Sequence, residues 1–164
     1  MGEMSLNRTL SFIGGPAFRA AFVALVVAIF AVRRRWWSAA MLVTATGGMG
    51  AINSALKVMI QRERPAGLPG RKQADGYSFP SGHSSGSAVL LGALGYLAWT
   101  KTRHRIIATV VLSCASVLAG FIGRSRVGLQ AHYRSDVVAG LVAGAIWLLL
   151  VVRLFARRLR REYR

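Results

Sequence analysis

The sequence predicts an all-α fold, a polytopic membrane helix bundle of about five transmembrane helices. Of the 164 residues, 54% are hydrophobic and 18 are glycine, and the mean hydropathy of +0.44 is too high for a typical soluble domain. The apolar residues form continuous runs, whereas a membrane β-barrel requires alternation. A bilayer core about 30 Å thick requires roughly 17 to 25 mainly apolar residues per helix. Five stretches approach that length, namely residues 16–32, 36–60, 84–100, 106–123 and 137–156.

The N-terminal region is predicted to hold a short interfacial segment and then a retained span. Residues 1–15 carry leucine and isoleucine at helical spacing, which suits a helix lying in the membrane interface; a frayed terminus is the alternative. The span at 16–32 precedes three arginines at 33–35, whereas a cleaved signal peptide carries its positive charge before the apolar region. We therefore expect residues 1–164 to form a single integral-membrane domain.

Small and charged residues within the other spans also carry information. Gly140 and Gly144 are four residues apart in the fifth span, a spacing that lets helix backbones approach closely. Arg19, Lys57 and Arg153 interrupt the apolar stretches. Each is near enough to the end of a span to reach the membrane surface or to face a polar cavity.

The charge balance is strongly basic. Lysine and arginine total 22 against five acidic residues, so the formal net charge is +17. A soluble chain with this balance would suggest nucleic acid, but these bases cluster between apolar stretches, where they meet lipid headgroups. We therefore expect a bilayer and no nucleic-acid partner. The tightest clusters are at 33–35, 101–105 and from 157 onward; the positive-inside rule places them in the cytoplasm and the other connectors on the outer face of the cell membrane.

Three short polar segments interrupt the apolar sequence. With five spans, the connectors at 61–83 and 124–136 fall on one side of the membrane, whichever way the chain is oriented. We therefore predict that the three segments meet at one face. They contain Lys57 with Arg64-Pro65, then Pro80-Ser81-Gly82-His83, and then Ser125-Arg126 with His132 and Asp136.

The first two segments suggest an anion site. If the second span continues as a helix, Lys57 and Arg64 are two turns apart on one face until Pro65 ends it; an ordinary basic cluster beside the membrane is the alternative. Ser81 precedes an apolar run and is a candidate helix cap. The start of a helix offers unpaired N–H groups, and Gly82 lets an anion approach them. A simple capping turn with an incidental histidine is the other interpretation.

The third segment places His132 and Asp136 four residues apart. If the stretch is helical, the carboxylate reaches one imidazole nitrogen, holds the tautomer and leaves the other nitrogen free as a nucleophile or base. The alternative is an aspartate that stabilises a helix start beside an exposed histidine. Together the segments suit phosphate or a similar oxyanion, since Arg126 and the other cations bind its oxygens. We expect no metal and no cofactor, because a divalent ion needs a ligand cluster without neighbouring cations.

The three spacings resemble the signature of the type 2 phosphatidic acid phosphatase (PAP2) family. They read K-x6-R-P from Lys57, P-S-G-H from Pro80 and S-R-x5-H-x3-D from Ser125, in order and without a departure. The resemblance covers the chain from the second to the fifth span. It implies a fold shared with vanadium haloperoxidases and a small bacterial membrane enzyme that hydrolyses a lipid phosphate.

The resemblance also implies a role for each motif residue. His132 is expected to attack phosphorus and form a phosphohistidine while Asp136 orients its ring. His83 is expected to protonate the leaving oxygen and later to activate water. The remaining motif residues are expected to bind the phosphate oxygens: Lys57, Arg64, Ser81, Gly82 and Arg126.

Several alternatives stay open at this stage. Membrane members of the family usually have six spans, so a second copy of this chain is a candidate to fill the missing position, and a homo-oligomer is one expectation. A vanadate-dependent haloperoxidase and a non-enzymatic lipid or anion transporter are the alternative functions. Phosphatidic acid, phosphatidylglycerophosphate, polyprenyl diphosphate and a polyprenyl-phosphoryl sugar phosphate are all candidate substrates.

Overall fold

The protein is all-α throughout the part that the structure describes. A computed structural model describes residues 2–66, 76–102 and 104–163. The predicted all-α class is confirmed, with six helices in these ranges. They are α1 (Gly2–Ile13), α2 (Pro16–Val32), α3 (Trp36–Ile60), α4 (Gly82–Lys101), α5 (Arg105–Gly128) and α6 (Arg134–Glu162).

The helices correspond to the predicted spans in order, with one addition. α2 and α3 have the predicted bounds, and α4, α5 and α6 each extend beyond the predicted apolar stretch. α1 is a helix and not a frayed terminus over its described residues, and it bends by 47° into α2. The predicted short N-terminal helix is therefore present.

Three of the helices are long and apolar enough to cross a membrane by themselves. These are α3, α5 and α6, and the bent pair of α1 and α2 passes the same test as one unit. α4 is not apolar enough to pass this test, because glycine, histidine and serine occupy most of its first two turns. This composition is tolerated because α4 packs against α3, α5 and α6, so protein surrounds it where a lipid-facing helix would meet hydrocarbon.

The hydrophobic core lies between α3, α4 and α6. It includes Met41 and Leu42 from α3, Val89 from α4, and Val151 and Leu159 from α6, all with at most 2% of their surface exposed. By contrast, large apolar side chains on the outside of α5 and α6 are exposed. An apolar exterior of this extent is typical of helices that face lipid.

Two glycines let α6 approach α4 at close range. A methyl group on Gly140 would lie 2.6 Å from the carbonyl oxygen of Ser81, and one on Gly144 would lie 2.8 Å from that of Ser85. Because backbone atoms cannot yield as a flexible side chain can, both positions require glycine. The predicted close-packing role of Gly140 and Gly144 is therefore confirmed, and it brings the start of α4 against the start of α6.

At the other end of the bundle, Glu162 ties α6 to α3. Its carboxylate accepts hydrogen bonds from the backbone N–H of Trp37 at 2.7 Å and of Ser38 at 3.1 Å. These are unpaired donors of the first turn of α3, which a carboxylate caps well. The Ser38 hydroxyl lies 3.0 Å from that of Tyr163, so the first turn of α3 and the end of α6 are held together.

Candidate active site

The start of α4 is held in place by its own cap and by α6. Ser81 is the N-cap residue, and its hydroxyl accepts from the Ser84 backbone N–H at 3.4 Å and from the Ser84 hydroxyl at 3.0 Å. The Ser81 N–H donates to the carbonyl of Asp136 at 3.0 Å. Ser81 is fully buried behind the cavity described below, whereas Gly82 lines it.

His132 and Asp136 are in contact, although His132 precedes the helix. α6 begins at Arg134, so the condition that the stretch be helical is not met; a turn places the histidine instead. Nδ1 of His132 lies 3.4 Å from Oδ2 of Asp136, and both side chains are buried. The same oxygen accepts from the Tyr133 N–H at 3.0 Å. Asp136 therefore caps α6 and also faces the imidazole. The capping part of the second alternative holds, but its exposed histidine is wrong, because His132 is only 4% exposed.

The second oxygen of Asp136 is bound by Arg62. Nη1 of Arg62 donates to Oδ1 of Asp136 at 2.9 Å and to the Ser135 hydroxyl at 2.7 Å. Its guanidinium also lies over the Tyr133 ring, 4.1 Å from the centroid. A fully buried carboxylate needs such a partner to remain charged. From the sequence, Arg62 was expected to flank the site, either attracting anionic headgroups or as solvated surface. Its partner Asp136 was missed, since the sequence signals only a second arginine two residues before Arg64.

Arg64 reaches the site from the irregular segment that follows α3. α3 ends at Ile60, and Gln61 adopts the left-handed conformation with φ of 51°, so the predicted helical face shared with Lys57 is wrong. Helix geometry is lost five residues before Pro65. Arg64 nonetheless arrives, since its Nε donates to the carbonyl of Gly76 at 2.9 Å and its Nη1 to that of Ala131 at 2.9 Å.

Arg64 also defines which nitrogen of His132 is available. Its Nη1 lies 3.4 Å from Nε2 of His132. A guanidinium can only donate, so Nε2 is the acceptor and carries the lone pair. The ring proton then belongs on Nδ1, which faces Asp136. In this tautomer Nε2 is the nitrogen that can react. The contact between Nδ1 and Asp136 is at ion-pair distance and is not a hydrogen bond.

Arg126 and His83 are both held by Ser11 of α1. Arg126, in the last turn of α5, donates through Nη1 to the Ser11 hydroxyl. The backbone of Ser11 is hydrogen-bonded to the His83 imidazole. No sequence pattern indicated Ser11, because a serine in an interfacial segment has no distinctive spacing.

The three polar segments meet at one cavity, as predicted. The cavity has a volume of about 680 Å³. Its cationic end is lined by Lys57, Arg64, His83, Arg126 and His132, and Lys57 donates through Nζ to the carbonyl of Tyr77. The rest is largely apolar and is lined by α2, α3 and α4. Along α3 the lining runs from Val43 to Lys57, a rise of about 21 Å at 1.5 Å per residue.

The surroundings of His132 favour its neutral form. Burial lowers the pKa of its imidazole below the ordinary 6.5, and the charges of Arg64, Arg126 and Lys57 lower it further, while Asp136 acts in the opposite direction. A neutral imidazole with its lone pair on Nε2 is a nucleophile at neutral pH. Within residues 2–66, 76–102 and 104–163, no three histidine, cysteine or acidic side chains cluster as metal ligands would.

Fold and site together define a class of protein. An apolar helical bundle with two histidines and several cations around one cavity is an integral-membrane protein suited to phosphoryl chemistry. Residues 37–160 match the sequence model of the PAP2 superfamily. The chain belongs to this family.

Curated relatives point to the same chemistry. Phosphatidylglycerophosphatase B of Bacillus subtilis is 26% identical over 156 residues, which cover 93% of this chain and 74% of that protein. Lipid A 1-phosphatase of Rhizobium etli is 33% identical over 130 residues, 74% of this chain and 52% of that protein. This chain is an enzyme, a membrane phosphatase.

A solved structure has the same fold. The crystal structure of a transmembrane PAP2-type phosphatidylglycerolphosphate phosphatase from Bacillus subtilis superposes with a TM-score of 0.85 at 25% sequence identity. The superposition covers 94% of this chain and 77% of that one. The predicted membrane bundle with a PAP2-like core is therefore confirmed.

Proposed function

We propose that the protein is a metal-independent lipid phosphatase that removes a terminal phosphate through a phosphohistidine on His132. The substrate is a lipid phosphate or a polyprenyl diphosphate. The observation that carries the proposal is the position of Nε2 of His132, which lies 3.4 Å from Arg64 at the cationic end of a cavity that is otherwise largely apolar. A lipid phosphate matches both parts of this cavity, because its anionic headgroup suits the cationic end and its apolar chains suit the apolar part.

The reaction proceeds in two displacements. The lone pair on Nε2 of His132 attacks phosphorus, the bond from phosphorus to the lipid oxygen breaks, and His83, in its imidazolium form, gives a proton to that oxygen. Burial and the charges of Arg126 and Arg19 lower the pKa of His83 in the free protein, so this form requires the anionic substrate beside the ring. His83 then takes a proton from water as the water oxygen attacks phosphorus, and the nitrogen–phosphorus bond breaks to release phosphate. Asp136 stabilises the positive ring of His132 during the first displacement.

Positive charge supplies the stabilisation that phosphoryl transfer requires. Lys57, Arg64 and Arg126 come from three different parts of the chain to the same end of the cavity. We assign them, with the backbone at Gly82, to the phosphate oxygens. Ser81, predicted to bind phosphate as well, does not line the cavity and instead caps the helix start behind it. Charge neutralisation of this kind does the work that a metal ion performs in other phosphatases.

We also assign the site to the outer face of the cell membrane. The arginine clusters at 33–35 and near the end of α6 lie toward the opposite end of the bundle, and positive clusters are typical of the cytoplasmic side.

The relatives support a lipid substrate, since they are named as a phosphatidylglycerophosphatase and a lipid A 1-phosphatase. We treat residues 1–164 as one working domain in which residues 1–15 lie at the interface.

Matched histidine variants test the proposal. Phosphate release from lysophosphatidic acid and farnesyl diphosphate is measured with purified protein in detergent, with a chelator present. We expect His132→Gln and His83→Gln each to lower kcat by roughly a thousandfold or more. His104→Gln is the control, because His104 is exposed and precedes α5 at the other end of the bundle. Its activity should equal that of the wild type.

Acid–base stability of the trapped intermediate gives a second readout. Protein quenched during turnover of a lipid labelled at the terminal phosphate should carry label that is lost in acid and retained in alkali, as a phosphoramidate is. Label on the His132→Gln protein, or full activity of that variant, would remove the nucleophile assignment. A wild-type protein that releases no phosphate from either lipid would contradict the lipid substrate.

A further inference from the structure

Arg19 is a cation that the three motif segments do not include. It lies in the first turn of α2, and its side chain lines the cavity beside the catalytic end. Its Nε is buried and has no hydrogen-bond partner among the described residues. Within residues 2–66, 76–102 and 104–163, no carboxylate lies within ion-pair distance of it. A guanidinium that faces a cavity in a membrane bundle requires an anion to offset its desolvation.

A glycine in α4 makes room for this side chain. A methyl group on Gly86 would overlap the guanidinium of Arg19. Gly86 follows His83 by three residues, so it lies on the same face of α4, about 4.5 Å further along the helix axis. The guanidinium is therefore seated against the face of α4 that carries His83.

The charge of Arg19 acts on one side of the site. The pKa of the His83 imidazole is lowered first by burial and then by the charges of Arg126 and Arg19. The cations that act on the His132 ring are Arg64, Arg126 and Lys57. Under the mechanism above, His83 protonates the leaving oxygen, so Arg19 stands on the side of the leaving group.

We propose that Arg19 binds a second anionic group, one carried by the leaving group of the substrate. The inference rests on the proposed function and narrows its substrate class. The enzyme prefers lipids whose leaving group is itself charged, either the inner phosphate of a lipid diphosphate or the phosphodiester of a glycerophosphate lipid. Phosphatidic acid is the poorer substrate, because its leaving group is a neutral diacylglycerol.

Three substrates and a small set of variants test this preference. The value of kcat/KM is measured for farnesyl diphosphate, phosphatidylglycerophosphate and phosphatidic acid in matched detergent micelles. For Arg19→Gln we expect a fall of roughly ten- to hundredfold on at least one of the two substrates with charged leaving groups, the worth of one charge-assisted hydrogen bond. The fall on phosphatidic acid should be less than about threefold. Arg19→Lys should recover part of the preference.

Substitution of Gly86 tests whether the position of the Arg19 guanidinium matters, because it leaves the net charge unchanged. Gly86→Ala keeps every charge but displaces the guanidinium, so it should weaken the preference in the same direction as Arg19→Gln. Gly120→Ala is the control, because a methyl group there meets nothing within 4 Å. It should keep the wild-type preference. Inorganic pyrophosphate should inhibit the wild type more strongly than phosphate does, and Arg19→Gln should remove that difference.

The results separate this inference from the proposed function. If Arg19→Gln lowers kcat/KM equally for all three lipids, or for none, the second subsite is overturned while the phosphatase activity stands. A Gly86→Ala protein with unchanged preference would overturn the placement of Arg19 beside Gly86. A loss confined to farnesyl diphosphate identifies the diphosphate as the group bound, and a loss confined to phosphatidylglycerophosphate identifies the phosphodiester. A wild type inactive on every lipid would instead contradict the proposed function.

Discussion

At the scale of single residues, Arg62 pairs with the carboxylate of Asp136, which in turn faces the His132 ring. Removal of its guanidinium leaves Oδ1 of the fully buried Asp136 without its 2.9 Å partner. We expect Arg62→Gln to cost about 1–3 kcal/mol of stability and to lower kcat, since an uncompensated buried charge is expensive. Thermal unfolding in detergent and phosphate release measure the two effects.

An exposed arginine provides the comparison for Arg62. Arg124 pairs with Glu3 at 3.6 Å, and the two side chains are 73% and 81% exposed. Exposed pairs contribute roughly 0–1 kcal/mol, so Arg124→Gln should leave both the unfolding temperature and kcat nearly unchanged. Equal effects of the two substitutions on the unfolding temperature and kcat would show that the contact between Arg62 and Asp136 contributes no more than an exposed ion pair does.

The pH dependence of activity follows from the charges around His132. Its pKa is lowered by burial first and then by Arg64, Arg126 and Lys57. The reactive form is the neutral imidazole, so activity persists below pH 6.5 and is lost as pH falls through the lowered pKa. Among the described residues, Asp136 is the charge that raises this pKa. Asp136→Asn should therefore move the acid limb of kcat/KM to lower pH, in addition to reducing the rate.

Loss of a cation near His132 should move the acid limb of the kcat/KM profile to higher pH. Lys57→Gln removes a charge that lowers the pKa of His132, so its acid limb should lie at higher pH than that of the wild type. Lys101→Gln is the control, because Lys101 is exposed in the last turn of α4. All profiles use one substrate, so that ionisation of the phosphate is common to them. Shifts of the same sign in Lys57→Gln and Asp136→Asn would refute the electrostatic account.

At the scale of helices, the contact between α4 and α6 positions the catalytic groups. Gly140→Ala would place a methyl group 2.6 Å from the Ser81 carbonyl and separate the starts of the two helices. We expect a loss of about 1–3 kcal/mol of stability, as for other overpacked sites. kcat should also fall, since His83 and Asp136 lie at these two helix starts. The control is Gly120→Ala, where the structure leaves open space. Equal activity in the two variants would contradict this role.

Much of the helical layout could be predicted from sequence, for identifiable reasons. The bounds of α2 and α3 follow from Pro16, the arginines at 33–35 and the polar residues after Ile60. α6 runs on to Glu162, beyond the apolar stretch, because charged residues at the end of a bundle can remain helical. Hydropathy does not register such a continuation.

The sequence did not predict which side chains pair with each other within the site. Arg62 and Arg64 are two residues apart and chemically identical, yet one binds Asp136 and the other faces His132. The left-handed conformation of Gln61, where α3 ends, and the irregular chain after it direct the two guanidinium groups to different partners. The motif spacing predicted that the cations and histidines meet, and tertiary structure decided their partners.

At the scale of the whole molecule, we expect the cavity to limit the length of the acyl chains that fit beside α2. Ala24 lines its apolar part, whereas the neighbouring Leu25 is 58% exposed on the outside of α2. We expect Ala24→Phe to lower kcat/KM for a dioleoyl phosphatidic acid by roughly tenfold relative to a dihexanoyl one. Leu25→Phe should leave that ratio unchanged. A chain-length series in mixed micelles measures both, and an unaltered ratio in Ala24→Phe would mean that acyl chains lie elsewhere.

The packing of α2 differs from that of the helices opposite it. α2 contains no fully buried residue, while α3, α4 and α6 share the core, and Glu162 caps the start of α3. Parting α2 from the bundle therefore breaks few protein contacts. A covalent cross-link that ties α2 to α3 should therefore slow the exchange of lipid with the surrounding bilayer, and one that ties the end of α6 to the start of α3 should not.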